Sequence, residues 1–142
     1  VRDLTAPHGM SFLHTIGAMR RRLFVDPWID KYIFPVVHIP SAVQIEQAAE
    51  PYFSIAHWQD IGPNYDPTLI AWNDNFQKTW PDLEGQERPN GQLYDERFKR
   101  MWEYYLLTCA GSFRNGTNRV FQAVMTDAAN ADNYSFQPCS ES

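Results

Sequence analysis

The chain is organised around the segment Ser11–Phe34, SFLHTIGAMRRRLFVDPWIDKYIF. This segment opens on the apolar run Ser11–Ile16, which is too short for a helix and predicts a largely buried strand. His14 lies inside this run, ahead of a loop that holds arginine and aromatic residues. That placement indicates a site, whereas composition alone favours a buried histidine bonded to a backbone carbonyl.

The rest of the chain predicts further strands and helices. Ser41 and Gln44 have the spacing of a capping box, which marks a helix start. Asp26 and Asp66 each precede a proline, so both are expected to be helix N-caps. Pro81 is expected to end the helix that begins at Asp66. The predicted elements are a strand at Ser11–Ile16, a helical turn from Pro27, a helix from Ser41 to about Ala49, a strand at Tyr52–Asp60, helices at Asp66–Trp80 and Tyr94–Arg114, and a strand at Arg119–Thr126.

Both long helices carry apolar side chains at spacings of three and four residues, which indicates one buried face on each. They are Leu69, Trp72, Phe76 and Trp80 on the first helix, and Tyr94, Phe98, Met101, Trp102, Tyr105, Leu106, Cys109 and Phe113 on the second. Strands mixed with amphipathic helices predict an α/β fold in which helices pack on a sheet. We expect one domain over residues 1–126 and a polar, flexible tail over residues 127–142.

Composition excludes several classes of protein. The net charge of −5 argues against a nucleic-acid binder, which needs a basic face. No run approaches the roughly 18 apolar residues of a membrane-spanning helix. The two cysteines, Cys109 and Cys139, are too few and too far apart for a disulfide framework or a zinc motif. We therefore expect a reduced, cytoplasmic protein without a metal site.

A series of motifs carries a resemblance to a known family. They are Leu13-His-Thr-Ile-Gly17, Asp26-Pro-Trp-Ile-Asp-Lys-Tyr-Ile-Phe-Pro35, Pro40-Ser41 with Gln44-Ile45, Tyr65-Asp66 with Thr68-Leu69 and Ala71-Trp72, Arg97-Phe-Lys-Arg-Met-Trp102, Tyr104-Tyr-Leu106 and Cys109-Ala-Gly-Ser-Phe-Arg114. In this order, across residues 4–126, they resemble the C-terminal half of the cyclopropane-fatty-acid synthases, a branch of the S-adenosylmethionine (SAM)-dependent methyltransferases. The resemblance implies the C-terminal part of a class I SAM-dependent methyltransferase (Rossmann-like) fold, with about three strands and packed helices. Such a fold usually ends on a reversed strand beside a parallel neighbour, which we expect at Arg119–Thr126 and Tyr52–Asp60.

The chain also departs from the family pattern. In the family, SAM binds a glycine-rich loop after the first strand, but the seven glycines of this chain form no such motif. We therefore expect the cofactor-binding half to lie outside this chain, together with the family's upstream catalytic glutamate and active-site cysteine. No residue here is assigned to SAM. Relatives usually carry a glycine directly after Phe34-Pro35, where this chain has Val36, so the turn there is expected to differ.

The resemblance implies a reaction in which a methylene group from SAM is added across the cis double bond of a phospholipid acyl chain to give a cyclopropane. A cation forms on the acyl chain, aromatic faces stabilise it, and a bound bicarbonate ion acts as the base. Carried over to matching positions, the catalytic residues are His14 and Tyr65, the bicarbonate-binding residues are His14, Ile16 and Tyr65, and the acyl-pocket residues are Trp28, Phe34 and Cys109.

Without the resemblance, these residues have plainer interpretations. Tyr65 is equally well explained as a half-buried turn residue, Phe34 as core, and Cys109 as a small buried hydrophobe. Arg20 to Arg22 could meet lipid phosphates, although solvated charge explains them better.

Two hypotheses follow. In the first, the chain is half of a cyclopropane synthase that acts on phospholipid acyl chains as a cytoplasmic protein peripheral to the membrane. The other half then comes from a partner chain or from sequence outside this chain, and we expect the chain to form a homo-oligomer or to recruit that partner. In the second, it is a catalytically inactive remnant that binds lipid or another protein. An unpaired sheet edge at Ser11–Ile16 would favour association under both.

Overall fold

The computed structural model of the chain describes residues 5–6, 9–21 and 26–127. Its elements are β1 (Met10–Gly17), α1 (Pro27–Tyr32), α2 (Ala42–Ala49), β2 (Phe53–Asp60), a 3₁₀ turn (Gly62–Asn64), α3 (Tyr65–Leu83), α4 (Glu96–Arg114) and β3 (Arg119–Asp127). The predicted mixed α/β class is confirmed. Beyond Asp127, the predicted tail lies outside the described residues, as does Arg22.

The chain divides into two compact units. Of the described residues, the sheet unit covers 5–6, 9–21, 39–61 and 119–127, and it holds the three strands and α2. The helical unit covers described residues 26–38 and 62–118, and it holds α1, the 3₁₀ turn, α3 and α4.

In the sheet unit the strands lie in the order β1–β3–β2, and β3 is antiparallel to both neighbours. β3 is thus the expected reversed strand, and β1 and β2 are the two edges of the described sheet. Val120, Phe121 and Ala123 of β3 are at most 1% exposed, so the last strand is the centre of the core. α2 packs on one face, where Ala49 meets Ala123 and Met125.

Gly17 lets β1 approach this core closely. A Cβ atom at residue 17 would lie 2.5 Å from ring carbons of Phe121 and 3.1 Å from the carbonyl oxygen of Pro40. Upstream of Gly17, exposed residues of β1 alternate with half-buried ones. The prediction that Ser11–Ile16 is largely buried is therefore wrong, because β1 is an edge strand with one face of the sheet uncovered along it.

Local capping signals position the helices as the sequence predicts. Asp26 accepts hydrogen bonds from the backbone N–H groups of Trp28 (2.9 Å) and Ile29 (3.1 Å) at the start of α1. The capping box of α2 is complete, because Gln44 N–H donates to Ser41 Oγ and Ser41 N–H donates to Gln44 Oε1. Each such cap supplies an acceptor to amide groups that have no partner inside the helix.

In the helical unit α3 and α4 run antiparallel, since the last turn of α4 lies beside the first turn of α3.

The predicted N-cap role of Asp66 is wrong. Asn64 occupies the N-cap position without a side-chain hydrogen bond, and Asp66 lies in the first turn. There it accepts hydrogen bonds from Arg114 Nε and Nη2 at 2.7 and 2.9 Å.

Two further predictions for α3 need correction. Pro81 does not end the helix but lies in its last turn, where Glu84 N–H still donates to Trp80 O at 3.0 Å. A proline there removes a single helical hydrogen bond. Trp72 is 50% exposed, and Asn73 takes the buried position between Leu69 and Trp80. The buried face follows the rotation set by α4, which the helical spacing alone does not fix.

The Asp66–Arg114 pair predicts a component of stability that depends on pH. The hydrogen bond from Arg114 lowers the pKa of Asp66 from its ordinary 3.8, and Asp66 in turn raises the pKa of Arg114. Because the folded-state pKa is lowered, the contribution is complete above pH 3.8 and is lost as the pH falls through the lowered pKa. We expect Arg114→Gln to be less stable than wild type at neutral pH, with the difference vanishing at strongly acidic pH.

Urea denaturation across the pH range measures this difference, and Arg100→Gln, which removes an exposed charge on the same helix, is the matched control. A difference between Arg114→Gln and wild type that stays constant down to strongly acidic pH would contradict the assignment.

Candidate functional site

His14 and Ile16 lie on one face of β1, because alternate residues of a strand share a face. Leu13 and Thr15 point to the opposite face, where Leu13 packs on the core beneath α2. His14 is exposed, and its Nδ1 lies 3.1 Å from Nε2 of Gln122, its register partner on β3. This contradicts the interpretation of His14 as a buried structural histidine.

The contact with Gln122 bears on which ring nitrogen of His14 carries the proton. The amide Nε2 of Gln122 can donate to Nδ1 of His14, an arrangement that requires the imidazole tautomer protonated at Nε2. Gln122 was not found from the sequence because it is 108 residues from His14; the only signal was a polar residue in an apolar strand.

The other four predicted site residues lie in the helical unit and contact α4 or lie on it. Trp28 meets Tyr104 edge-on, with ring centroids 4.5 Å apart. Phe34 meets Tyr105 edge-on at 5.9 Å, and Tyr65 meets Phe113 at 5.2 Å.

Cys109 is on α4 itself, one turn beyond Tyr105. Burial and then the neighbouring thiol raise the pKa of Tyr105, which places the two side chains together. Phe34 and Cys109 are thus joined through Tyr105. Tyr65 lies one turn further along α4, at Phe113, and is half-buried as the plainer interpretation also expects. Phe34 is 47% exposed, so the interpretation of this ring as core is wrong.

The environment of Cys109 makes its thiol unreactive. Burial, and then the negative charge of Asp26, raise the pKa of Cys109 to about 11. The thiol therefore stays protonated at neutral pH and is a poor nucleophile.

In a Cys139→Ser variant we expect iodoacetamide to modify Cys109 roughly two orders of magnitude more slowly than free cysteine at neutral pH. The rate should rise about tenfold per pH unit until the pH approaches the pKa of the thiol, about 11. A plateau below pH 9, measured by mass spectrometry of the alkylated chain, would contradict this environment.

The turn after Phe34 holds Val36 in the left-handed region, with φ at 62°. This is the position where the family resemblance leads us to expect glycine, and glycine adopts this conformation without strain. Val36 is 94% exposed, so its side chain adds little packing, and its N–H donates to Asp30 Oδ1 at 3.0 Å.

We expect Val36→Gly to raise the free energy of unfolding by about 1 kcal/mol, because a left-handed L-residue costs about 1–2 kcal/mol. Val36→Ala retains a Cβ atom and is the matched control, with little expected gain. Chemical denaturation of both variants tests this, and a destabilised Val36→Gly would refute the strain.

Within the described parts of the chain no group of three or more histidine, cysteine, aspartate or glutamate residues could hold a metal ion. Nor does any described helix have the length and apolar character to cross a membrane.

The family model described as "Mycolic acid cyclopropane synthetase" matches residues 1–123. The chain belongs to this family. It is 45% identical over 120 residues to the cyclopropane-fatty-acyl-phospholipid synthase of Escherichia coli (strain K12), covering 84% of this chain and 30% of that protein. It is 31% identical over 124 residues to the tuberculostearic acid methyltransferase UfaA1 of Mycobacterium tuberculosis, covering 86% of this chain and 26% of that protein.

Solved structures of mycolic acid cyclopropane synthases share the fold. The cyclopropane synthase MmaA2 from Mycobacterium tuberculosis aligns with a TM-score of 0.73 at 24% identity, over 88% of this chain and 46% of that one. The mycolic acid cyclopropane synthase CmaA1, complexed with SAH and CTAB, aligns with a TM-score of 0.67 at 26% identity, over 84% of this chain and 44% of that one. The family resemblance and the methyltransferase-type α/β fold are thereby confirmed. This mycolic acid cyclopropane synthetase family chain spans less than a third of these curated relatives and under half of these solved chains.

Proposed function

We propose that this chain supplies the acyl- and bicarbonate-binding half of a methyltransferase that adds a methylene group from SAM to cis double bonds of unsaturated phospholipid acyl chains. The observation that carries the proposal is the 45% identity to a cyclopropane-fatty-acyl-phospholipid synthase over 84% of the chain. The substrate, the reaction and the partner half are all parts of this proposal.

The donors on the chain fit a small oxyanion. His14 offers an imidazole N–H, Tyr65 offers a phenol O–H, and Ile16 offers backbone groups. Bicarbonate bound in the complete enzyme would supply the base for the proton that leaves as the ring closes. The role of His14 is then to hold and orient this anion, while Gln122 fixes the imidazole tautomer.

The helical unit contributes an aromatic wall that suits a cationic acyl chain. The faces of Trp28, Phe34 and Tyr105 stabilise positive charge through their quadrupoles without offering a nucleophile. The absence of a nucleophile matters at Cys109 as well. Its raised pKa keeps the thiol neutral, whereas a thiolate beside the cation would trap it.

SAM would be held by the half that carries the glycine-rich loop, either on a partner chain or elsewhere in a longer polypeptide. Isothermal titration calorimetry tests whether SAM binds to the other half and not to this chain. We expect no heat of SAM binding from this chain alone, and binding when a polypeptide carrying the glycine-rich half is mixed with it. Tight SAM binding by this chain alone would contradict the assignment of SAM to the other half.

An inactive lipid-binding or protein-interaction module is the second candidate. The observation that favours it is the apolar exposure along the edge strand β1, where Met10 and Phe12 are each 63% exposed. This candidate predicts association without any chemistry on the acyl chain, even when the complementary half is present.

A further inference from the structure

A groove of about 740 Å³ opens in the helical unit between α1, the loop before α4 and the first turns of α4. Its apolar lining includes Tyr32, Leu93, Phe98 and Trp102, and two arginines, Arg88 and Arg97, join them. Leu93 and Tyr32 are exposed. The groove therefore combines apolar surface open to solvent with two arginine side chains and one carboxylate, that of Asp95.

The guanidinium of Arg88 is held in place without a carboxylate partner. It lies over the ring of Phe98 at 5.0 Å and over that of Tyr94 at 6.0 Å, and it donates to Gln92 Oε1. Its Nε is buried and has no hydrogen-bond partner among the described residues. A guanidinium held over two rings, with no carboxylate partner among the described residues, suits a planar or tetrahedral oxyanion.

Asp95, the acidic residue of the groove, forms no ion pair with either arginine among the described residues. Asp95 caps α4 by accepting a hydrogen bond from the Phe98 N–H at 2.8 Å. In the part of the chain that the structure covers, neither Arg88 nor Arg97 forms an ion pair.

An aromatic path runs from this groove to the predicted acyl pocket. Phe98 stacks on Trp102, with centroids 5.9 Å apart and planes at 12°, and Trp102 meets Tyr105 at 5.3 Å. Tyr105 in turn meets Phe34, with Cys109 one turn further along α4. From Phe98 to Cys109 the helix rises about 16 Å. One leaflet of a bilayer has a hydrocarbon depth of roughly 15 Å.

We propose that this groove binds the phosphate and glycerol end of the phospholipid substrate, with Arg88 and Arg97 on the phosphate and the acyl chain running past Trp102 to Phe34 and Cys109. This rests on the proposed function, and it places the head group at the end of α4 away from Cys109. The match is one of charge and of length. The phosphate would meet two arginines that form no ion pair with described residues. The acyl chain would then lie along a row of aromatic rings whose length is about the hydrocarbon depth of one leaflet.

The test is flotation of the 142-residue chain with phosphatidylglycerol vesicles. The double variant Arg88→Gln/Arg97→Gln should reduce vesicle binding roughly tenfold or more. The control Arg20→Gln/Arg21→Gln removes the same charge at two exposed arginines and should change binding by less than about twofold. Equal losses of vesicle binding in the two double variants would show general charge attraction. Unchanged binding by Arg88→Gln/Arg97→Gln would show that these arginines do not contact the lipid. Either result overturns the proposal.

Two further arms locate the acyl chain and the source of the phosphate. Lipids brominated along the acyl chain should quench wild-type fluorescence more than that of Trp102→Phe, and equal quenching would overturn the path. Inorganic phosphate at matched ionic strength should not displace the vesicles. Displacement by phosphate would assign the arginines to a free anion and overturn the lipid site.

These assays contain neither SAM nor a partner chain. Failure in vesicle binding therefore overturns the head-group site alone. Failure of methylene transfer, with vesicle binding intact and dependent on Arg88 and Arg97, contradicts the proposed function and supports the head-group site.

Discussion

Phe121→Ala is expected to lower the free energy of unfolding by about 3–5 kcal/mol, the cost of a large cavity in a buried core. Phe121 is 1% exposed in the central strand, its ring lies 4.8 Å from that of Trp58, and it fills the space that Gly17 leaves open. Because domains of this size are stable by only about 5–15 kcal/mol, this single change should leave a large unfolded fraction. Urea denaturation followed by circular dichroism measures it.

Phe12→Ala is the matched control for Phe121. It deletes the same side chain from the edge strand β1, at a position that is 63% exposed. We expect a change within about 0.5 kcal/mol, as for most exposed positions. Equal losses from Phe121→Ala and Phe12→Ala would show that the core is not centred on β3.

His14→Ala is expected to lower methylene transfer by about 10²-fold or more in the complex with the SAM-binding half, because the positioned proton acceptor of the reaction loses its anchor. The free energy of unfolding should stay nearly constant, since His14 is exposed on an edge strand. The readout is the initial rate of acyl-chain modification under saturating SAM.

His38→Ala provides the control, because His38 is also exposed but lies outside the predicted site. Its rate should match wild type. A His14→Ala rate within a few-fold of wild type would remove His14 from the catalytic residues, whatever its contact with Gln122.

The features that the sequence predicts well are local ones. Asp26 and the Ser41–Gln44 capping box act within a few residues of themselves, and the structure places both as predicted. The order of strands and helices follows from side-chain periodicity for the same reason. Where the prediction failed, a distant partner decided the outcome. Asp66 binds Arg114, 48 residues away, in place of capping its own helix.

In the candidate site, too, the contacts between distant residues could not be predicted from the sequence. The roles of His14 and Tyr65 came from the resemblance to the cyclopropane-fatty-acid synthases, since the pattern marked His14 only as a histidine in an apolar strand and Tyr65 as a turn residue. Their surroundings came only from the fold, which pairs His14 with Gln122 and sets Phe34 on Tyr105. In the sequence Arg88 is only a basic residue in a polar loop. Its role was not predicted because Phe98, whose ring lies beneath the guanidinium, belongs to the next helix.

Mass spectrometry of phospholipid acyl chains measures directly whether this chain takes part in methylene transfer. The chain is incubated with SAM and unsaturated phospholipid vesicles, with and without the polypeptide that carries the glycine-rich half. We expect a mass gain of one methylene per modified acyl chain in the complete mixture and none when either half is left out. No mass gain in the complete mixture, with SAM bound and both halves folded, would contradict it.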